Sequence, residues 1–154
     1  EQPLGGGTDI NLRLPALIPE DYLPDVHARL ILYKRIANAA DEDALKDLQV
    51  EMIDRFGLLP EQVKNLFRLT SLKFRLEPLG IAKLTANDNQ GRIEFRRDTE
   101  INPFTLIRLV QIRPDSFKLD DGNSLRFFAN MGETESRFRT IDQILTDLQK
   151  DPNL

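Results

Sequence analysis

Apolar positions recur along the chain with two different periods, and the change between them orders the whole sequence. Ile10, Leu12 and Leu14 alternate with Asn11 and Arg13, the period-two pattern of a short strand, which Pro15 stops. Pro15, Pro19 and Pro24 hold the following segment in an extended or turn-rich path, and Pro24 still suits the first turn of a helix. From Pro24 to about Ala39, Val26, Leu30, Tyr33 and Ala37 fall at i, i+4, i+7 and i+11, predicting a helix with that face inward. Ile31 and Ile36 widen its stripe. Asp41 offers an N-cap to a second helix, whose stripe is Leu45, Leu48, Met52 and Phe56 and whose end suits Gly57. Pro60 starts a third, with Val63, Leu66, Phe67, Thr70 and Phe74 on one face, and Pro78 and Gly80 end it.

After residue 80 the period shortens. Ile81–Thr85 and Arg92–Arg97 flank the turn-rich NDNQG at 87–91, predicting a hairpin. Asn102 before Pro103 signals a helix start, with Phe104, Ile107 and Val110 facing inward. Ser116–Leu119 and Ser124–Phe128 flank DDGN at 120–123, a second hairpin. A last helix carries Phe138, Ile141, Leu145 and Leu148, and Thr140-x-x-Gln143 suggests a capping-box restart within it. The order strand, three helices, hairpin, helix, hairpin, helix predicts an α+β fold in a single domain over 10–150. Residues 1–9, with Gly5, Gly6 and Gly7, read as a flexible linker, and 151–154 as a tail.

Composition narrows the chemistry. With 154 residues, the chain suffices for one domain with a real core. No run approaches the ~18 apolar residues that span a bilayer, so no membrane role is expected. The start EQPLGGGTD shows neither a signal peptide nor an initiator Met, which suggests a piece of a longer chain. Cysteine is absent, which removes disulfides and thiolate metal sites and fits a cytoplasmic protein. The net charge of −4 argues against a domain built mainly to hold phosphate backbones. The basic pairs Lys34–Arg35, Arg96–Arg97 and Arg137/Arg139 form no dense stripe.

Catalytic patterns are weak. His27 is the sole histidine and lacks a Cys partner, while Ser71 and Ser136 have no His nearby in sequence. The acidic groups Glu20–Asp21, Asp41–Glu42–Asp43 and Asp120–Asp121 sit at helix starts or turns, where acids are favoured locally. DDGNS lacks the spaced ligands of a calcium loop, and GGGT lacks the lysine of a phosphate loop. The reading is no catalytic residue, no metal site and no cofactor in this chain.

The stretch EMIDRFGLLPEQV (51–63) is different. Glu51 and Asp54 lie on one side of the second helix, off its stripe, in the last turns where the helix dipole disfavours negative charge. Arg55, at i+4 from Glu51, offsets part of that cost. Local stability does not account for the two acids; a basic partner surface would, and so would a simple solvated face.

LPALIPEDYLPDVHARLILYKRIA (14–37), VEMIDRFGLLPEQVKNLF (50–67) and LKFRLEPLGIAKL (72–84), with LYKRIA, DRFGLLP and LGIAKL in that order, resemble the C-terminal domain of the bacterial transcription-repair coupling factors (Mfd). The likeness covers about residues 10–149 and is looser after 85. It implies a regulatory domain of a longer, ATP-driven DNA translocase that removes stalled RNA polymerase from damaged DNA and recruits excision repair through UvrA. The motor, its ATP and its DNA contacts belong to other domains, so no enzymatic activity is expected in this chain. The resemblance further implies that this domain docks on an N-terminal UvrB-like module of the same protein and masks the surface UvrA uses, until the motor rearranges on DNA. Glu51, Asp54 and Arg55 are then the expected interface residues, with Gly57 and Pro60 fixing the turn behind them. The alternative is a module that contacts RNA polymerase or DNA in the activated translocase.

Overall fold

The computed structural model describes residues 7–153. In chain order its elements are β1 (Asp9–Asn11), α1 (Val26–Ala37), α2 (Glu42–Phe56), α3 (Glu61–Leu76), β2 (Ile81–Ala86), β3 (Gln90–Phe95), α4 (Pro103–Ile112), β4 (Phe117–Asp120), β5 (Ser124–Phe128) and α5 (Thr134–Leu148). The α+β class and the element order expected from the sequence are both present. Within this domain the chain forms two compact units, one over Leu14–Arg75 and the other from the residues before and after it.

In the Leu14–Arg75 unit, three helices enclose one apolar cluster. Ile18, Leu23, Leu32, Ile36, Leu45, Leu48, Met52, Val63 and Phe67 are buried in it. The proline-rich segment is strapped down through its backbone: Leu17 N–H donates to Gln62 O (3.2 Å), Asn65 Nδ2 donates to Pro15 O (3.0 Å), and Ile18 N–H donates to the Tyr33 hydroxyl (2.7 Å). The α2 stripe is as expected, with Leu45, Leu48 and Met52 buried. The α1 face is not. Leu32 and Ile36 are buried, whereas Val26, Leu30 and Ile31 are 60%, 56% and 48% exposed. Ala28, Leu32 and Ile36 recur at i, i+4 and i+8, a second apolar row that competes with the first, and packing against α2 and α3 selects it.

In the other unit, both hairpins and β1 form one sheet in the order β1-β2-β3-β5-β4. β1 lies parallel to β2, with Ile10 opposite Leu84, and the remaining pairings are antiparallel. Leu84, Ile93, Leu125 and Phe127 of the sheet are buried, as are Phe138, Ile141, Leu145 and Leu148 of α5. Gly91 is required by close approach: a Cβ there would stand 2.1 Å from the Phe127 ring. α5 runs without a restart, and its start is secured by Glu133 N–H donating to Ser136 Oγ (3.2 Å), so the cap expected at Thr140 is absent. α4 also turns a different face inward. Thr105 and Leu109 are buried while Phe104 and Ile107 are 68% and 41% exposed. The Thr105 hydroxyl donates to Lys150 O (2.9 Å), which fixes that rotation.

The expected linker is shorter than 1–9. Thr8 is buried with its hydroxyl donating to Ile81 O (2.7 Å), and Asp9 already belongs to β1; residues 1–6 lie outside the described residues. The expected tail is held at Pro152, whose carbonyl accepts a hydrogen bond from Arg108 Nη1, while Leu154 lies outside the described residues.

Candidate functional site

The acidic stretch sits on a pair of linked helices. Asp25 caps α1 by accepting from His27 N–H (3.1 Å), and Asp41 caps α2 by accepting from Ala44 N–H (2.9 Å). The short connection 38–41 joins the two helices, and the Arg35–Glu51 contact bridges them. At the far end of α2, Gly57 takes φ +97°, a region that side chains rarely enter, and its N–H closes the helix on Ile53 O (2.9 Å). The Tyr22 hydroxyl donates toward Gly57 O (2.9 Å) and Met52 O (3.3 Å), and its ring meets Phe56 edge-on at 6.1 Å. The turn behind the acidic stretch is thereby pinned from the proline-rich segment.

Glu51 is not a bare acid. Arg35 of α1 grips its carboxylate with two parallel hydrogen bonds of 2.7 Å, and Arg55 adds a third at 3.1 Å. This forked geometry is the strongest arrangement an arginine and a carboxylate can make. Hydrogen bonding from Arg35, opposed by partial desolvation and aided by Arg55, draws the Glu51 carboxyl from 4.5 down to about 2. The expectation that nothing local accounts for Glu51 is therefore corrected: it bridges α1 and α2. Arg55 is exposed, with its guanidinium 4.8 Å from the centre of the Phe56 ring. Asp54 is exposed in the last turn of α2, and no described residue pairs with its side chain. Of the three expected interface residues, the structure brings Glu51 and Arg55 into one cluster with Arg35, centred on the Glu51 carboxylate, and leaves Asp54 open.

The other candidates have local roles. His27 is exposed in the first turn of α1. Ser71 donates to Glu42, and Ser136 caps α5. Asp120 and Asp121 stand at a hairpin turn beside Arg92, at 3.8 and 3.3 Å. Lys118, Arg126 and Arg92 lie in register across three strands, but Glu94, Asp120 and Asp121 are interleaved with them, so this sheet face is charge-balanced. Arg137 is not a surface cation at all. It is buried, with Nε and Nη2 donating to Met131 O (3.0 and 2.9 Å) and Nη1 donating to Leu12 O (2.6 Å). Among the described residues, no helix is long and apolar enough to cross a membrane.

Comparison with known proteins places this helix pair in a family. The model of the TRCF domain matches residues 12–106, which include all of α1, α2 and α3. The chain belongs to the TRCF domain family. It is 40% identical over 143 residues to the transcription-repair-coupling factor of Escherichia coli, and 41% identical over 137 residues to that of Haemophilus influenzae. These alignments cover 93% and 89% of the chain but only 12% of either relative, so the chain spans about an eighth of their length. The fold matches a crystal structure of the C-terminal domain of a transcription-repair coupling factor with a TM-score of 0.72 at 22% identity, covering 93% of this chain and 88% of that one. The TRCF match thus takes in Arg35, Glu51, Asp54 and Arg55 together.

Sequence reading missed Arg35 as the partner of Glu51 and Tyr22 as the clamp on the turn. The two charges are 16 positions apart on different helices, beyond any i, i+4 rule, and only the folded helix pair joins them.

Proposed function

We propose that this chain is a regulatory docking domain of a transcription-repair coupling factor, acting in transcription-coupled nucleotide excision repair. It docks on the N-terminal UvrB-like module of the same protein and masks the surface that UvrA would engage. The observation that carries this reading is Asp54, an open carboxylate in a helix turn where the dipole opposes it, three residues from the Glu51 that Arg35 and Arg55 hold. A basic group on the module supplies the missing counter-charge. Membership of the TRCF family and the names of its relatives support placing the domain in transcription-repair coupling.

Masking is a population effect. The docked and released states differ by the docking free energy, and UvrA binds only the released one, so every weakening of docking appears as tighter UvrA binding. ATP, DNA and RNA polymerase are then engaged by other parts of the long polypeptide. The test is a titration of this chain into the separate N-terminal module, with UvrA as competitor. Saturable binding that UvrA displaces is expected. No binding at high micromolar concentration, or binding that UvrA leaves unchanged, refutes the masking role.

A further inference from the structure

We propose that the cleft beside the β2–β3 turn, lined by Arg13, Arg92 and Arg126, binds a phosphate group carried by a ligand of nucleotide size. It lies in the unit that holds the sheet, and it is independent of the masking reading. Its cations stand in an order that the fold alone disfavours. Arg92 of β3 is directly opposite Arg126 of β5, and Arg126 is directly opposite Lys118 of β4. Like charges placed opposite each other destabilise a sheet, and here three follow in a row. Glu94, Asp120 and Asp121 offset the charge only loosely, with carboxylate oxygens 3.3–3.9 Å from the guanidinium nitrogens. The forked Arg35–Glu51 contact, at 2.7 Å, is what a satisfied arginine looks like in this protein.

The donors themselves remain open. Arg92 directs Nη2 to Ser124 Oγ (3.1 Å) and Asp121 (3.3 Å), while its Nε is buried with no hydrogen-bond partner. A donor closed off from water and without an acceptor is rare in native folds and calls for a cause. The Arg126 guanidinium meets Asp120 (3.9 Å) and the Phe128 ring (5.7 Å), neither of them a hydrogen bond. Arg13, two residues past β1, is exposed, and its side chain pairs with no described residue. These three arginines share one cleft of about 460 Å³ with Asn87, Gln90 and a single carboxylate, Asp120. Arg13 comes from outside the charge-balanced sheet face and supplies the local positive surplus.

Three guanidinium groups around one cleft match an anion with more than two oxygens. The Asp120 carboxylate stands 3.8 and 3.9 Å from Arg92 and Arg126 and satisfies neither. A tetrahedral phosphate accepts from several planar forks at once, the recognition that arginine serves best. The cleft exceeds what one phosphate needs and falls within the size range of small-ligand pockets. Asn87 and Gln90 line it too, and their side-chain amides both donate and accept, as the edge of a nucleobase does. The ligand is therefore a nucleoside phosphate, either free or within a single strand. The net charge of −4 speaks against a basic track along the surface, not against one cleft with three arginines to one acid.

The experiment follows the arginine side-chain Nε–H resonances of this chain by NMR at low salt. The probes are thymidine 5′-monophosphate, inorganic phosphate, succinate and an oligothymidylate of about ten nucleotides. Thymidine monophosphate should shift the Arg92 and Arg126 signals saturably and bind more tightly than inorganic phosphate. Arg13→Gln, at an exposed site, should weaken that binding about tenfold, as should Arg126→Gln, while the control Arg139→Gln, an exposed arginine of α5, should not. Tighter binding of the oligothymidylate than of the monophosphate supports the site with a strand as its source; equal or weaker binding supports it with a free nucleotide. Succinate binding as tightly as thymidine monophosphate overturns the phosphate assignment, and inorganic phosphate doing so overturns the nucleotide one. No saturable shift by about 10 mM, or an equal loss from Arg139→Gln, overturns the site itself.

Discussion

Arg137→Met tests the architecture behind β1. The arginine is only 6% exposed, and its three donors reach two backbone carbonyls, Leu12 O just after β1 and Met131 O before α5. Methionine fills much of the same volume but donates nothing, so both carbonyls are left buried without these partners. Each such group costs about 1–3 kcal/mol, so the change should destabilise the protein by about 2–5 kcal/mol. Arg137→Lys keeps the charge but not the planar fork that reaches both carbonyls, and should fall between methionine and wild type. Urea denaturation followed by circular dichroism measures the difference through the midpoint at constant slope. A loss below about 0.5 kcal/mol for Arg137→Met would show that water or a shifted backbone satisfies both carbonyls, and that Arg137 does not hold β1 in place.

Three further outcomes follow from the same geometry. The folded state holds Glu51 near 2 against an ordinary 4.5, so the contribution of its ion pairs is fully present above about pH 4.5 and disappears as pH falls toward 2. Wild type and Glu51→Gln should therefore differ by a constant amount near neutrality and converge in acid, and a gap that persists at pH 2 would contradict this. Leu48→Ala, at a site 5% exposed, should cost about 2–5 kcal/mol, whereas Val50→Ala, at a site 59% exposed, should cost under about 1; equal losses in denaturation would mean α2 is rotated. Gly91→Ala forces a methyl against the Phe127 ring and should destabilise by about 1–3 kcal/mol, and an unchanged melting temperature would place that ring elsewhere.

Legibility in the sequence tracked contrast. α2 was readable because Leu45, Leu48, Met52 and Phe56 stand against a polar background, and α5 for the same reason. α1 was not, since apolar residues surround it on most sides and the period alone selects no face. Its misread face is the one left to solvent, because the competing row of Ala28, Leu32 and Ile36 packs against the core. α4 failed similarly, because its rotation depends on a hydroxyl reaching Lys150, 45 positions away. Turns were legible through local chemistry: Asp41, Asn102 and Gly57 each did what their types favour. The joining of two hairpins by β3 and β5 and the parallel seat of β1 are long-range choices with no local signature. At the candidate site, the position and exposure of Asp54 could be read from helix spacing, while the neutralisation of Glu51 by Arg35 required the folded helix pair.

The masking account is tested most directly by the affinity of UvrA for the full-length protein carrying Asp54→Lys. Asp54 is exposed and pairs with no described residue, so its reversal should leave the fold intact and even relieve an unfavourable dipole contact. In the docked state the new lysine would face the basic group that the carboxylate had met. A partly desolvated contact of this kind is worth about 1–3 kcal/mol, and reversal adds repulsion, so UvrA should bind at least about tenfold more tightly. A folded Asp54→Lys protein that binds UvrA no more tightly than wild type would contradict the account.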